Sequence, residues 1–135
     1  MKLEESLREV LAQKELVVQK FYTRFLSENP QTTVFFEGMD MTKQSLMLSA
    51  ALIVSESHFR ENLPAVEFYL QVLGTQHREA GIPKELFPVF RDCLIATISQ
   101  CQDSWSDELA DKWRAAIDKA IATMFEGYDE ASNAG

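Results

Sequence analysis

The chain has 135 residues, of which 46% are hydrophobic and 25% charged, and its formal net charge is −8 at pH 7. This composition is typical of one globular domain and excludes a disordered or collagen-like chain. The excess of acidic residues argues against an electrostatic grip on nucleic acid or anionic lipid. The acidic start of the chain and the lack of a long apolar run predict a soluble, cytoplasmic protein with no membrane span.

The spacing of apolar residues predicts helices along nearly the whole chain and no strand. Two helices are expected to meet near Gln13, and the second is expected to stop at Pro30. Residues 31–40 are interpreted as an irregular corner. A long helix is then predicted from Met41 to Ser57.

Proline and glycine mark the elements of the second half of the chain. Pro64 lies in the first turn of the next helix, and Gly81 is a suitable left-handed stop for it. Another helix is predicted from Pro83 to Gln100, with Leu86 as an alternative start because a proline follows it. The last helix is predicted over 107–127, which leaves a tail, residues 129–135, that we expect to be frayed.

His77 is the residue that carries most information about function. It continues an apolar stripe of Val66, Leu70 and Leu73, so its ring is predicted to point into the interior. One interpretation is a core histidine that is satisfied by a backbone carbonyl. The other is an axial ligand to the iron of a buried macrocycle, since one imidazole suffices when the macrocycle supplies the other donors. A single histidine could not hold a bare metal ion.

Three segments occur in the order FYTRFLSENPQTTVFF, DMTKQSLML and LGTQHREAGI. Together they resemble bacterial single-domain globins and the haem domains of flavohaemoglobins, and the resemblance extends over residues 21–125. It implies an all-α globin fold, a three-over-three helical sandwich around a b-type haem, with residues 1–135 forming one domain.

The resemblance also implies roles for individual residues. His77 matches the proximal ligand to the haem iron, and Phe36 matches the aromatic residue that stacks on the haem. Tyr22 and Gln44 match the distal polar residues, whose donors can stabilise a bound gas. Leu48, one helical turn after Gln44, matches the apolar residue beside that gas.

On the proximal side, the resemblance places Leu73, Ile82 and Phe87 against the haem. Phe87 is a departure from the family, because flavohaemoglobins have a tyrosine ten residues after the proximal histidine. That tyrosine acts with a glutamate to polarise the imidazole, and Glu126 lies close to the glutamate's position. Without the hydroxyl we expect a less anionic imidazole at His77.

The distal residues could also lie one position earlier in the sequence. Lys43 and Met47 would then take the places of Gln44 and Leu48. The apolar pattern through Met41, Gln44 and Leu48 favours the first register, and Lys43 is then a solvated surface charge.

The resemblance implies a protein that binds dioxygen reversibly, with nitric oxide and carbon monoxide as further ligands. One alternative is nitric oxide dioxygenation, and the other is a haem-less interaction or sensor module of globin shape. No flavin or nicotinamide domain is evident, so we expect any redox cycle to need an external reductase.

Overall fold

The structure is a computed structural model that describes residues 1–134, and the side chains of residues 1–131. Within that range it contains helices and no strand, which confirms the predicted all-α class. The elements are α1 (Leu3–Ala12), α2 (Lys14–Glu28), a 3₁₀ corner (Pro30–Phe36), α3 (Met41–Arg60), α4 (Pro64–Glu79), α5 (Leu86–Gln100) and α6 (Asp107–Ala134).

The start of α3 is fixed by a capping residue. The Asp40 carboxylate accepts a hydrogen bond from the backbone N–H of Thr42 at 2.9 Å, which satisfies a donor that the first turn leaves free. The helix continues to Arg60, three residues beyond the predicted end at Ser57. An ion pair one turn apart, between Arg60 and the buried Glu56 at 3.0 Å, accompanies this last turn.

Each of the two following helices has a proline in its first turn. Pro64 occupies the first turn of α4, and Gly81, with φ of +77°, follows the end of that helix. Of the two predicted starts of α5, Leu86 is the observed one. Pro88 then lies in the first turn, where a missing N–H breaks no intrahelical hydrogen bond.

The corner predicted as irregular over 31–40 is more regular than expected. A 3₁₀ helix occupies its first half, and it leads directly to Phe36 at its end. Thr32 is completely buried, and its hydroxyl donates to the Asn29 carbonyl at 2.7 Å, which stabilises the tight turn.

The predicted end of α6 at Gly127 is wrong, because the helix continues to Ala134. The next residue, Tyr128, is buried, and its hydroxyl donates to the Ile82 carbonyl at 2.8 Å. Packing against the rest of the protein therefore overrides the local tendency of glycine to end a helix. Gly135 lies outside the described residues, and fraying of the tail stays a prediction.

The hydrophobic core forms two clusters. The larger cluster surrounds Trp113, Phe21 and Ile98 and joins α1, α2, α3, α5 and α6. The smaller cluster includes Leu70 and Phe87 and lies where α4 and the start of α5 meet the second half of α6. Both α3 and α4 pack on α6, but they contact each other only sparsely.

None of the helices in the described range has the length and apolarity that crossing a membrane requires.

Candidate functional site

His77 lies in the last turn of α4, and its ring is partly buried. Its Nδ1 atom is 2.7 Å from the Leu73 carbonyl, one turn earlier in the same helix. A carbonyl can only accept a hydrogen bond, so Nδ1 carries the proton and the lone pair of the neutral ring lies on Nε2. The backbone bond predicted for a core histidine is present, but the same bond fixes the tautomer and orientation that a metal ligand needs.

The residues predicted for the proximal side lie together. Leu73 and Ile82 pack against the smaller core cluster, of which Phe87 is a buried member. The Phe87 ring is 5.5 Å from the His77 ring, measured between centroids. The hydrogen bond from Tyr128 to the Ile82 carbonyl holds the corner after α4 in place.

Glu126 is not joined to the proximal histidine. Its carboxylate accepts a hydrogen bond from Gln71 Nε2 at 2.9 Å, at an exposed position between α4 and α6. Within residues 1–131, the Leu73 carbonyl is the hydrogen-bond partner found for the His77 ring. The imidazole is therefore oriented by a backbone carbonyl rather than by a carboxylate.

On the distal side, Tyr22 of α2 and Gln44 of α3 are directly bonded. The Tyr22 hydroxyl donates to Gln44 Oε1 at 2.9 Å. Tyr22 is only 6% exposed, and burial raises the pKa of its hydroxyl to about 12, so the proton stays on the oxygen at neutral pH.

The alternative distal register does not have this geometry. Lys43 is exposed, and Met47 is 58% exposed, whereas Leu48 is 4% exposed. The structure thus brings Gln44 to Tyr22 and turns Leu48 inward. The functional roles of these residues remain predictions.

Phe36, at the end of the 3₁₀ corner, adjoins the same tyrosine. The two rings meet edge to face with centroids 5.4 Å apart, and Phe25 lies 6.2 Å from Phe36 on another side. Phe21 in turn meets Tyr22 edge to face at 4.9 Å. These aromatic contacts restrict the rotamer of Tyr22 and so fix the direction of its hydroxyl.

Two features of the proximal side were not predicted from the sequence. One is Tyr128, which continues the apolar stripe of Ile121 and Met124 by one turn and could have been found from that spacing. The other is the close approach of Gly74 to the Met124 backbone and of Gly127 to the Gln71 backbone, which depends on the packing of two helices distant in sequence.

Comparisons with known proteins agree with one another. A family model described as Globin matches residues 19–124. The flavohemoprotein of Bacillus thuringiensis subsp. konkukian is 27% identical over 123 residues, which is 87% of this chain and 30% of that protein. Globin CTT-IX of Chironomus thummi thummi is 35% identical over 75 residues, covering 56% of this chain and 44% of that globin. The chain therefore spans about 30% of the length of the flavohemoprotein it matches.

Among solved structures, a similar fold occurs in a protein from Pseudomonas aeruginosa PAO1, described as structurally highly homologous to a human hemoglobin. The TM-score is 0.76 at 24% sequence identity, and the match covers 91% of this chain and 98% of the other.

Proposed function

Since this chain belongs to the globin family and has the three-over-three globin fold, we propose that it holds a b-type haem through His77 and binds dioxygen reversibly. Family membership implies a haem and a gas ligand. The identity of the haem, the preference for dioxygen and the roles of individual residues belong to the proposal.

The observation that carries the proposal is the state of the His77 ring. Nδ1 donates its hydrogen to the Leu73 carbonyl at 2.7 Å, which leaves the Nε2 lone pair free to coordinate a metal ion. A neutral imidazole held in this way is a suitable protein ligand for a haem iron. A haem held here would supply the iron that coordinates a diatomic gas.

The distal pair suits the stabilisation of a polarised ligand. Because Tyr22 donates to Gln44 Oε1, the amide oxygen is occupied and the Nε2 hydrogens remain for the ligand. We infer that Gln44 is the direct donor and that Tyr22 orients it. Leu48 and Phe36 supply apolar surface beside this pair, and a donor is worth more in a dry site than in water.

Nitric oxide dioxygenation is the second candidate, and the similarity to flavohemoproteins over 87% of the chain favours it. The reaction joins nitric oxide, dioxygen and one electron to give nitrate, so it requires a reductase as electron donor. Phe87 lacks the hydroxyl that would help to polarise the imidazole, and for that reason we rank reversible binding first. Nitrate production by the protein with a reductase, at a rate that competes with dioxygen release, would reverse this order.

The test of the main proposal is the absorption spectrum of protein that has been supplied with hemin. We expect a Soret band, and we expect reduction in air to give a stable oxygenated spectrum. In His77→Ala, the haem should be lost or bound heterogeneously, and free imidazole should restore the spectrum by filling the vacated position. A wild-type protein without a Soret band would contradict the proposal and favour a haem-less interaction module.

A further inference from the structure

Helices α4 and α6 cross at two glycines, each of which faces the backbone of the other helix. A Cβ added at Gly74 would lie 1.7 Å from the Met124 carbonyl oxygen, and one added at Gly127 would lie 1.9 Å from the Gln71 carbonyl oxygen. Real Cβ atoms essentially never come within 3.0 Å of a heavy atom outside their own residue and its chain neighbours. Because the atoms in the way are backbone, they cannot rotate aside, and a side chain at either position would force the helices apart.

Hydrogen bonds join the two helices at the same place. The Thr75 hydroxyl is within bonding distance of the Gly127 carbonyl, at 3.1 Å, and of the Gln71 carbonyl of its own helix, at 3.2 Å. The Gln71 amide donates across the crossing to Glu126 at 2.9 Å. These bonds oppose sliding of α4 along α6. The crossing therefore fixes the position of α4 along the axis of α6 as well as the distance between the two helices.

The crossing lies one helical turn before the proximal histidine. Leu73, whose carbonyl orients the imidazole, is the residue next to Gly74. Since the bond from His77 Nδ1 to Leu73 lies within α4, the ring and the helix must move together. A displacement of α4 at Gly74 would therefore move Nε2 without changing the tautomer of the ring.

We propose that the Gly74–Gly127 crossing is a positioning device that sets how far His77 Nε2 projects from α6 toward the cofactor. An added methyl group at Gly74 would need α4 to move by at least about 1.3 Å to reach an acceptable contact. Sites of this kind require their ligands to be held within about 0.5 Å of the working geometry. The inference rests on the proposed function, because it concerns the ligand that would hold the haem.

The experiment compares Gly74→Ala and Gly127→Ala with the wild-type protein, all loaded with hemin. The iron–histidine stretching band of the reduced, unliganded form is sensitive to the strength and strain of the bond to Nε2, and so to a displacement of α4. We expect this band to shift in both variants, and haem loss to a scavenger protein to become roughly tenfold faster. Ile98→Val is the control, because it loosens the larger core cluster without touching the crossing, and it should leave the band unchanged.

Three outcomes would overturn the inference: an unchanged band in a folded glycine variant, an equal shift in the Ile98→Val control, or normal haem retention by both glycine variants. If neither glycine variant folds, Thr75→Ala decides, since it removes the hydroxyl bonded to Gly127 and adds no atom. A shift of the iron–histidine band in this Thr75 variant, smaller than the shift expected for the glycine variants, supports the inference. An unchanged band refutes it. Failure of the proposed function would be recognised separately, because the wild-type protein itself would then bind no haem.

Discussion

Replacing Tyr22 with Phe removes one hydroxyl and leaves the ring and its aromatic neighbours in place. The hydroxyl lost is the donor to Gln44 Oε1, in a bond of 2.9 Å between neutral groups. A bond of this kind contributes about 1 kcal/mol net, which corresponds to roughly a fivefold change in a rate or an equilibrium. We therefore expect dioxygen to leave Tyr22→Phe roughly fivefold to tenfold faster than the wild-type protein.

The geometry also predicts how this variant combines with Gln44→Leu. If Tyr22 acts by orienting the Gln44 amide, then Tyr22 slows dioxygen release only while Gln44 is present. Gln44→Leu should release dioxygen at least as fast as Tyr22→Phe, and the double variant should behave like Gln44→Leu alone. Two independent donors would instead give additive free energies.

The assay is stopped-flow displacement of dioxygen by carbon monoxide, which measures the dissociation rate in all four members of the cycle. Tyr69→Phe is the matched control, because Tyr69 is exposed on α4 and forms no side-chain hydrogen bond within the described residues. Its off-rate should equal that of the wild-type protein. Additive effects of Tyr22 and Gln44 would show that Tyr22 donates to the ligand itself, and the assignment of Gln44 as sole direct donor would be wrong.

Three predictions concern stability. Burial raises the pKa of Tyr22 from 10.0 to about 12, so the folded protein holds this proton more tightly, and stability is lost between those pH values. Denaturant titrations should show the wild-type protein losing roughly 3 kcal/mol relative to Tyr22→Phe across that window, and parallel curves would refute the burial argument. Burial and the nearby Lys119 lower the pKa of His58. The stability that the neutral His58 ring contributes is therefore present above its unfolded pKa and is lost as the pH falls through its folded pKa. His58→Gln should flatten the loss of stability below pH 6.5. An equally steep loss in that variant would exclude His58 as its source. Tyr128→Phe should cost about 1 kcal/mol of unfolding free energy, from the bond to the Ile82 carbonyl, and no loss would mean that water replaces this bond.

The helix starts could be predicted because their causes are local. Asp40 caps α3 with its own side chain, and Pro64 suits the first turn of α4 whatever surrounds it. The end of α6 could not be predicted in the same way. Gly127 has the local character of a stop, but its missing side chain serves the approach of α4, and Tyr128 supplies buried contacts that continue the helix.

The candidate site could be predicted only where its causes are local as well. Helical spacing is enough to place His77 on an apolar stripe, and the family resemblance suggests Tyr22 and Gln44 as partners. The direction of the bond between those two side chains depends on how α2 and α3 are packed, and no periodicity contains that information. The isolation of Glu126 from the His77 ring likewise follows from the placement of α6 beside Gln71.

The division of the hydrophobic core has a consequence for how the protein opens. Because fewer buried residues form the smaller cluster around Leu70 and Phe87 than the larger one around Trp113, we expect α4 to open before the helices of the larger cluster, even though its crossing with α6 holds it in place. Backbone amides of α4 should then exchange with deuterium well before those near Trp113. The segment that carries the histidine could thus admit a large planar molecule while the remainder of the chain keeps its native structure.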